Sequence, residues 1–135
     1  MSEPDYITQA AIDRLKSGPV THQFPDLYLH RFTKVYADDD ELRFVRSDGR
    51  TFMFYHSQDC CESVSIESIV GDLNDLVGVP LLLVDESTQE SDPALHESGT
   101  WTFYKFATIK GYVDVRWLGT SNGYYSESVN FKEVK

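Results

Sequence analysis

The chain has 135 residues, a length that fits one domain, and 41% of them are apolar, which is enough for a hydrophobic core. No apolar run could cross a membrane and the N-terminus lacks a secretory-signal pattern, so we expect a cytoplasmic protein. The net charge of −10 argues against direct binding to nucleic acid, whose phosphates would be repelled.

A short helix is predicted for residues 5–16, because Asp5 can cap its start and apolar residues recur every four positions. Residues 27–37 are rich in aromatic and β-branched side chains and predict a strand. Segments 42–46 and 51–56 then predict a hairpin around Asp48-Gly49, a pair that suits a type I′ turn. With that turn, one face of the hairpin would carry Leu42, Phe44, Met53 and Tyr55.

The principal helix is predicted for residues 66–77. Its apolar residues follow a helical period and would form one continuous stripe: Ile66, Ile69, Val70, Leu73, Leu76 and Val77. Ser65 can cap the start of this helix and Gly78 can end it.

The remainder predicts a strand at 81–84, an exposed loop at 86–99, and three further strands. Those strands are expected at 101–107, 112–117 and 124–131. The order predicts an α+β fold in a single domain, residues 1–135. It would have one mostly antiparallel sheet of five to seven strands, one principal amphipathic helix and the short N-terminal helix.

The negative charge is concentrated, since ten acids and no base lie between Asp59 and Glu97. Such a stretch can attract a basic protein partner if the fold gathers it, or it can serve solubility alone. The partner-binding residues predicted on this basis are Glu67, Asp72, Asp75, Asp85 and Glu86.

A polar cluster offers an alternative site, a small metal- or thiol-dependent enzyme built from His56, Asp59, Cys60, Cys61 and Glu62. Adjacent cysteines on an extended chain point to opposite faces, so we expect them to be neither disulfide-bonded nor joint metal ligands. We therefore assign no catalytic residue, metal or cofactor.

Aromatic and basic residues of the last strands give a third possibility, a small-ligand binder using an aromatic sheet face. The residues concerned are Tyr104, Tyr112, Trp117, Tyr124 and Tyr125, near Lys105, Lys110 and Arg116. Sheet packing explains the same pattern without any ligand.

Four segments resemble a family of small, mostly phage-encoded proteins of unknown function. They are Tyr-His-Ser-Gln-Asp-Cys-Cys-Glu at 55–62, Ile-Val-Gly-Asp-Leu at 69–73, Trp-Thr-Phe-Tyr-Lys-Phe at 101–106 and Ser-Asn-Gly-Tyr-Tyr-Ser-Glu at 121–127. The resemblance spans a core at 41–131, with residues 1–40 as a variable N-terminal part. It implies the cytoplasm of a phage-infected bacterium and carries over no catalytic residue.

These observations together favour an accessory protein that acts by binding. The expected partner is a basic host protein, such as a factor that handles nucleic acid or serves in defence. An acidic surface would occupy the basic surface of that partner.

Overall fold

The computed structural model describes residues 24–95 and 97–135 and forms two four-stranded antiparallel sheets. Sheet A has the order β1-β2-β3-β8 and contains β1 (Phe32–Ala37), β2 (Leu42–Arg46), β3 (Thr51–Tyr55) and β8 (Asn130–Val134). Sheet B has the order β4-β7-β6-β5 and contains β4 (Ser63–Val70), β5 (Leu83–Glu90), β6 (Ser98–Thr108) and β7 (Gly111–Ser121).

The predicted α+β fold is therefore wrong. The helical structure within the described residues is a single 3-10 helix, Leu73–Leu76, and none of their helices is long and apolar enough to span a membrane. The predicted N-terminal helix at 5–16 lies outside the described residues.

The two sheets pack face to face through aromatic side chains. Phe44 of sheet A lies 5.1 Å from Phe106 of sheet B, and Phe54 lies 4.6 Å from Tyr104, measured between ring centroids. Trp117 is completely buried in the same core. The high aromatic content of the sequence thus serves the interior of a β-sandwich.

A β-bulge explains why residues 66–77 read as a helix. The register of β4 against β7 shifts between Ile66 and Ser68, so one extra residue is inserted there. Ile66 and Ile69 consequently both pack against the core although they are three positions apart, which is a helical spacing. Leu76 is buried from the following 3-10 helix, whereas Val70 is 60% exposed, so the predicted stripe is not one surface.

The predicted hairpin exists, but its turn and register differ from the prediction. The N–H of Gly49 donates to the carbonyl of Arg46 at 2.8 Å, and Gly49 has a φ of 92°. This is a type I turn followed by a left-handed residue, a longer connection than a two-residue type I′ turn. Phe44 therefore lies opposite Phe52, and Leu42 lies opposite Phe54.

The second half of the chain forms longer strands than predicted. β5 continues to Glu90, and residues 91–97 join it to β6, where the sequence predicted an exposed loop from 86 to 99. The predicted strand at 124–131 is wrong as well. Residues 122–129 form a loop that leaves sheet B and leads to β8 in sheet A.

Candidate functional site

The loop that leads from sheet A to sheet B, residues 56–62, is organised by one carboxylate. Glu62 accepts hydrogen bonds from the backbone N–H groups of Asp59, at 2.8 Å, and Cys60, at 3.0 Å. It also contacts the Nε2 of His56 at 2.7 Å. We call residues 56–62 the Glu62 loop.

His56 and Glu62 are fully engaged with each other and with the backbone. The Nδ1 of His56 lies 2.7 Å from the carbonyl oxygen of Ser128, so both ring nitrogens are engaged in hydrogen bonds with oxygen atoms. The side chains are only 3% and 0% exposed. The hydrogen bond from His56, aided by the backbone N–H groups, lowers the pKa of Glu62 to about 2 against the opposing effect of burial. Neither ring nitrogen is available as a general base.

The structure joins Cys60 and Cys61 in a disulfide, contrary to the prediction. The rule that adjacent side chains point to opposite faces holds for extended backbone, and these two residues occupy a bend. Both are exposed, as is Asp59. The polar cluster predicted from sequence is thus a loop whose buried members, His56 and Glu62, hold each other. Nowhere in 24–95 or 97–135 is there a group of three or more residues suited to a metal.

Two of the predicted partner-binding acids, Glu67 and Asp72, use their carboxylates within the fold, and Asp75 accepts a hydrogen bond through its backbone. Glu67 lies at the bulge of β4 and pairs with Arg116 at 2.6 Å. Asp72 caps the 3-10 helix by accepting from the N–H of Asn74 at 2.9 Å. The carbonyl of Asp75 accepts a hydrogen bond from the hydroxyl of Thr108.

The other two predicted acids, Asp85 and Glu86, lie on opposite faces of sheet B. They are consecutive residues of a strand, and successive side chains alternate between faces. Asp85 lines a groove on the outer face, whereas Glu86 lines a cavity on the inner side. The five predicted acids therefore do not form one helical face.

The aromatic residues predicted for a ligand-binding face do not share one surface. Tyr104 and Trp117 are buried in the core, whereas Tyr112 is 43% exposed and Tyr124 is 84% exposed. The cations of the outer face already have acidic neighbours, since Arg116 pairs with Glu67 and Lys105 lies 3.8 Å from Asp114.

A cavity of about 380 Å³ lies between the end of sheet B and the loop 122–129. Glu86 and Glu127 contribute carboxylates to it. The hydroxyl-bearing residues of its wall are Thr88, Ser98, Thr100, Thr102, Tyr125 and Ser128. The described residues that line it include no lysine, arginine or histidine. We call this cavity the acidic pocket.

Glu127 is held in the acidic pocket by neutral donors. Its carboxylate accepts from the hydroxyl of Thr100 at 2.8 Å and from the hydroxyl of Ser121. Burial raises the pKa of Glu127, but the hydroxyls of Ser121, Ser98 and Thr100 together outweigh it, and the pKa lies below its ordinary value. Glu127 is therefore ionised at neutral pH, and among the described residues no cation forms an ion pair with it.

Two further contacts shape the pocket. The hydroxyl of Tyr104 donates to Glu86, and burial, followed by that hydrogen bond, raises the pKa of Tyr104, so it remains a donor. A methyl group at Gly119 would lie 2.5 Å from the carbonyl oxygen of Glu127. Only glycine lets the loop approach β7 this closely.

Sequence reasoning did not identify Glu127 as a site residue. Its neighbourhood carried a signal, since Ser-Asn-Gly-Tyr-Tyr-Ser-Glu was one of the segments behind the family resemblance. The sequence predicts a strand at 124–131, which would place Glu127 in an ordinary β-ladder.

Fold and site together define a β-sandwich domain with a pocket that two glutamates line. The chain belongs to a family described as a domain of unknown function, DUF7448, whose model matches residues 26–131. The match includes the Glu62 loop and Glu127. No match was found among curated proteins or among solved structures.

Proposed function

We propose that this chain is a non-enzymatic binding protein whose partner is a basic protein. The acidic pocket is the proposed site, and it receives a lysine or arginine side chain of the partner. A bacterium infected by a phage is the proposed setting, in line with the resemblance to phage-encoded proteins, and the partner would be a host protein.

The observation that carries the proposal is the position of Glu127, which lines the acidic pocket and accepts hydrogen bonds from the hydroxyls of Thr100 and Ser121. A carboxylate in a cavity is costly to ionise unless donors or a cation compensate it. Here hydroxyls keep the pKa of Glu127 low without neutralising its charge. An ammonium or guanidinium group from outside would supply the missing charge and could donate to the surrounding hydroxyl oxygens.

The charge of the whole chain supports a protein partner over nucleic acid. The net charge is −10, and a field of that sign speeds encounter with a basic surface and slows approach to phosphates. Association should therefore weaken as salt concentration rises.

Affinity capture from a host lysate tests the proposal when it is run with matched charge variants. Glu127→Gln removes one of the two carboxylates that line the pocket, and Asp40→Asn removes one exposed charge from the turn between β1 and β2. We expect Glu127→Gln to weaken association with a basic protein at least tenfold, about 1.4 kcal/mol, and Asp40→Asn to leave it unchanged. Equal capture by all three proteins, or a captured partner without net positive charge, would contradict the proposal.

A further inference from the structure

The strand next to the acidic pocket, β5, forms an edge of sheet B. It pairs with β6 on one side, and in the described part of the chain no strand pairs with its other side. In an antiparallel ladder, alternate residues bond to the same neighbour. Ser91, just beyond β5, donates its N–H to the carbonyl of Gly99, so the N–H groups of Thr88 and Glu90 point away from β6.

The two faces of β5 open into two different depressions. Thr88 lines the acidic pocket on the inner side, and Ser87 lines a groove of about 710 Å³ on the outer face. Val70, Leu83 and Phe103 contribute apolar surface to that groove. A strand added to β5 would direct its side chains alternately into the pocket and the groove.

The charge of β5 selects among strands that could pair with it. β5 carries Asp85, Glu86 and Glu90 and no basic residue. Two copies of β5 would bring like charges opposite one another, which is unfavourable. A basic strand would instead meet opposite charges on both faces.

We infer that the partner presents an extended basic segment that pairs with β5 through its backbone and places a lysine side chain in the acidic pocket. This inference rests on the proposed function and adds the conformation of the partner and its docking position. Backbone pairing would provide affinity, and the pocket would select a cation at every second position of the segment.

A synthetic heptapeptide of alternating threonine and lysine, Thr-Lys-Thr-Lys-Thr-Lys-Thr with blocked ends, serves as the probe. It is titrated into the full chain and followed by NMR and amide hydrogen exchange. We expect slower exchange at Thr88 and Glu90, and affinity for the peptide at least tenfold weaker in Glu127→Gln. The control peptide has the same side chains with N-methyl groups on alternate backbone nitrogens, and it should not bind.

A second variant separates this inference from the proposed function. Thr88→Pro removes an N–H that points away from β6, so it blocks an added strand without removing a bond to β6. Its melting curve establishes that it folds. No binding of the alternating peptide, equal binding of the N-methylated peptide, or unchanged exchange at Thr88 and Glu90 would overturn strand pairing.

Capture of the lysate partner by both variants also distinguishes strand pairing from the proposed function. If its capture requires Glu127 but is insensitive to Thr88→Pro, the proposed function stands and strand pairing is wrong. If capture requires neither residue, both are wrong. Loss of capture in both folded variants supports both.

Discussion

Glu62 and Glu127 each hold a loop in place with a carboxylate, but the groups that they bind differ in kind. Glu62 binds a ring nitrogen of His56, whose other ring nitrogen contacts Ser128, together with two backbone N–H groups. Glu127 binds the neutral hydroxyls of Thr100 and Ser121. Both carboxylates have a lowered pKa, for Glu62 chiefly because the ring of His56 donates to it, and for Glu127 because neutral hydroxyls together outweigh the effect of burial.

The difference teaches how to distinguish a structural carboxylate from a candidate binding site. The number of hydrogen bonds does not separate the two cases, because both carboxylates accept several. The two carboxylates differ in the exposure of the side chain and in the groups that donate hydrogen bonds to it. The side chain of Glu62 is 0% exposed, whereas Glu127 is partly exposed and faces a cavity. Four predictions test this distinction between the two carboxylates.

The largest effect is expected for Glu62→Gln. The substitution keeps the shape of the side chain but removes the charge opposite His56 and places an amide where two N–H groups donate. Leaving buried donors without their carboxylate acceptor is strongly destabilising, so we expect a fall in melting temperature of roughly 10 °C or more. The same change at Glu127 should lower it by only a few degrees, about a third as much or less. Thermal unfolding followed by circular dichroism measures the melting temperature of both variants. Equal decreases for Glu62→Gln and Glu127→Gln would contradict the distinction.

The contribution of Glu62 should depend on pH with a definite sign. The pKa of Glu62 is about 2 in the fold, against an ordinary value of about 4.5, so the folded state binds this proton less tightly than the unfolded state. The ionised carboxylate therefore stabilises the fold above about pH 4.5, and this contribution is lost as the pH falls toward about 2. Urea unfolding from pH 7 to 2 should give a stability difference between wild type and Glu62→Gln that shrinks below pH 4.5. A difference that grows on acidification would contradict this.

Gly119→Ala tests the fit of the loop that carries Glu127. The new methyl group would lie 2.5 Å from the backbone carbonyl of Glu127, so the loop must shift. We expect a loss of about 1–3 kcal/mol in the free energy of unfolding, together with weaker partner capture. Gly99→Ala is the matched control, because its methyl group meets the hydroxyl of Ser91, a side chain that can move more easily. A smaller loss for Gly119→Ala than for Gly99→Ala would argue against tight loop packing.

The smallest effect is expected for Thr100→Val, which retains the shape of the side chain and removes one donor to Glu127. The free energy of unfolding should fall by about 1 kcal/mol. The pKa of Glu127 should rise toward its ordinary value, because one of the three hydroxyls that lower it is lost. NMR titration of the Glu127 side chain measures the change. An unchanged pKa would mean that this hydroxyl does not help to keep the carboxylate ionised.

Some of the fold follows from local sequence alone. The aromatic segments of β2, β3, β6 and β7 were placed correctly because their residues favour strands and tight turns separate them. The same reasoning gave a wrong prediction for β4, because this strand contains a bulge. An inserted residue changes a period of two into a spacing of three, which local pattern analysis cannot distinguish from a helix.

The candidate site was less predictable than the strands. His56 and Glu62 were identified as polar residues close in sequence, and the structure brings them together. The position of Glu127 depends on a long-range contact, since Thr100 lies 27 residues earlier in the chain, in β6. Only the course of the loop 122–129 between the two sheets brings these groups together, and no local pattern encodes that course.

Ser128 contacts the Glu62 loop and also lines the acidic pocket. Its carbonyl accepts the hydrogen bond from His56, and the residue also lines the acidic pocket beside Glu127. The two regions therefore share one residue. A ligand that favours the position of Ser128 seen here would also favour its hydrogen bond with His56, and by reciprocity a change that breaks this bond would weaken binding of the ligand.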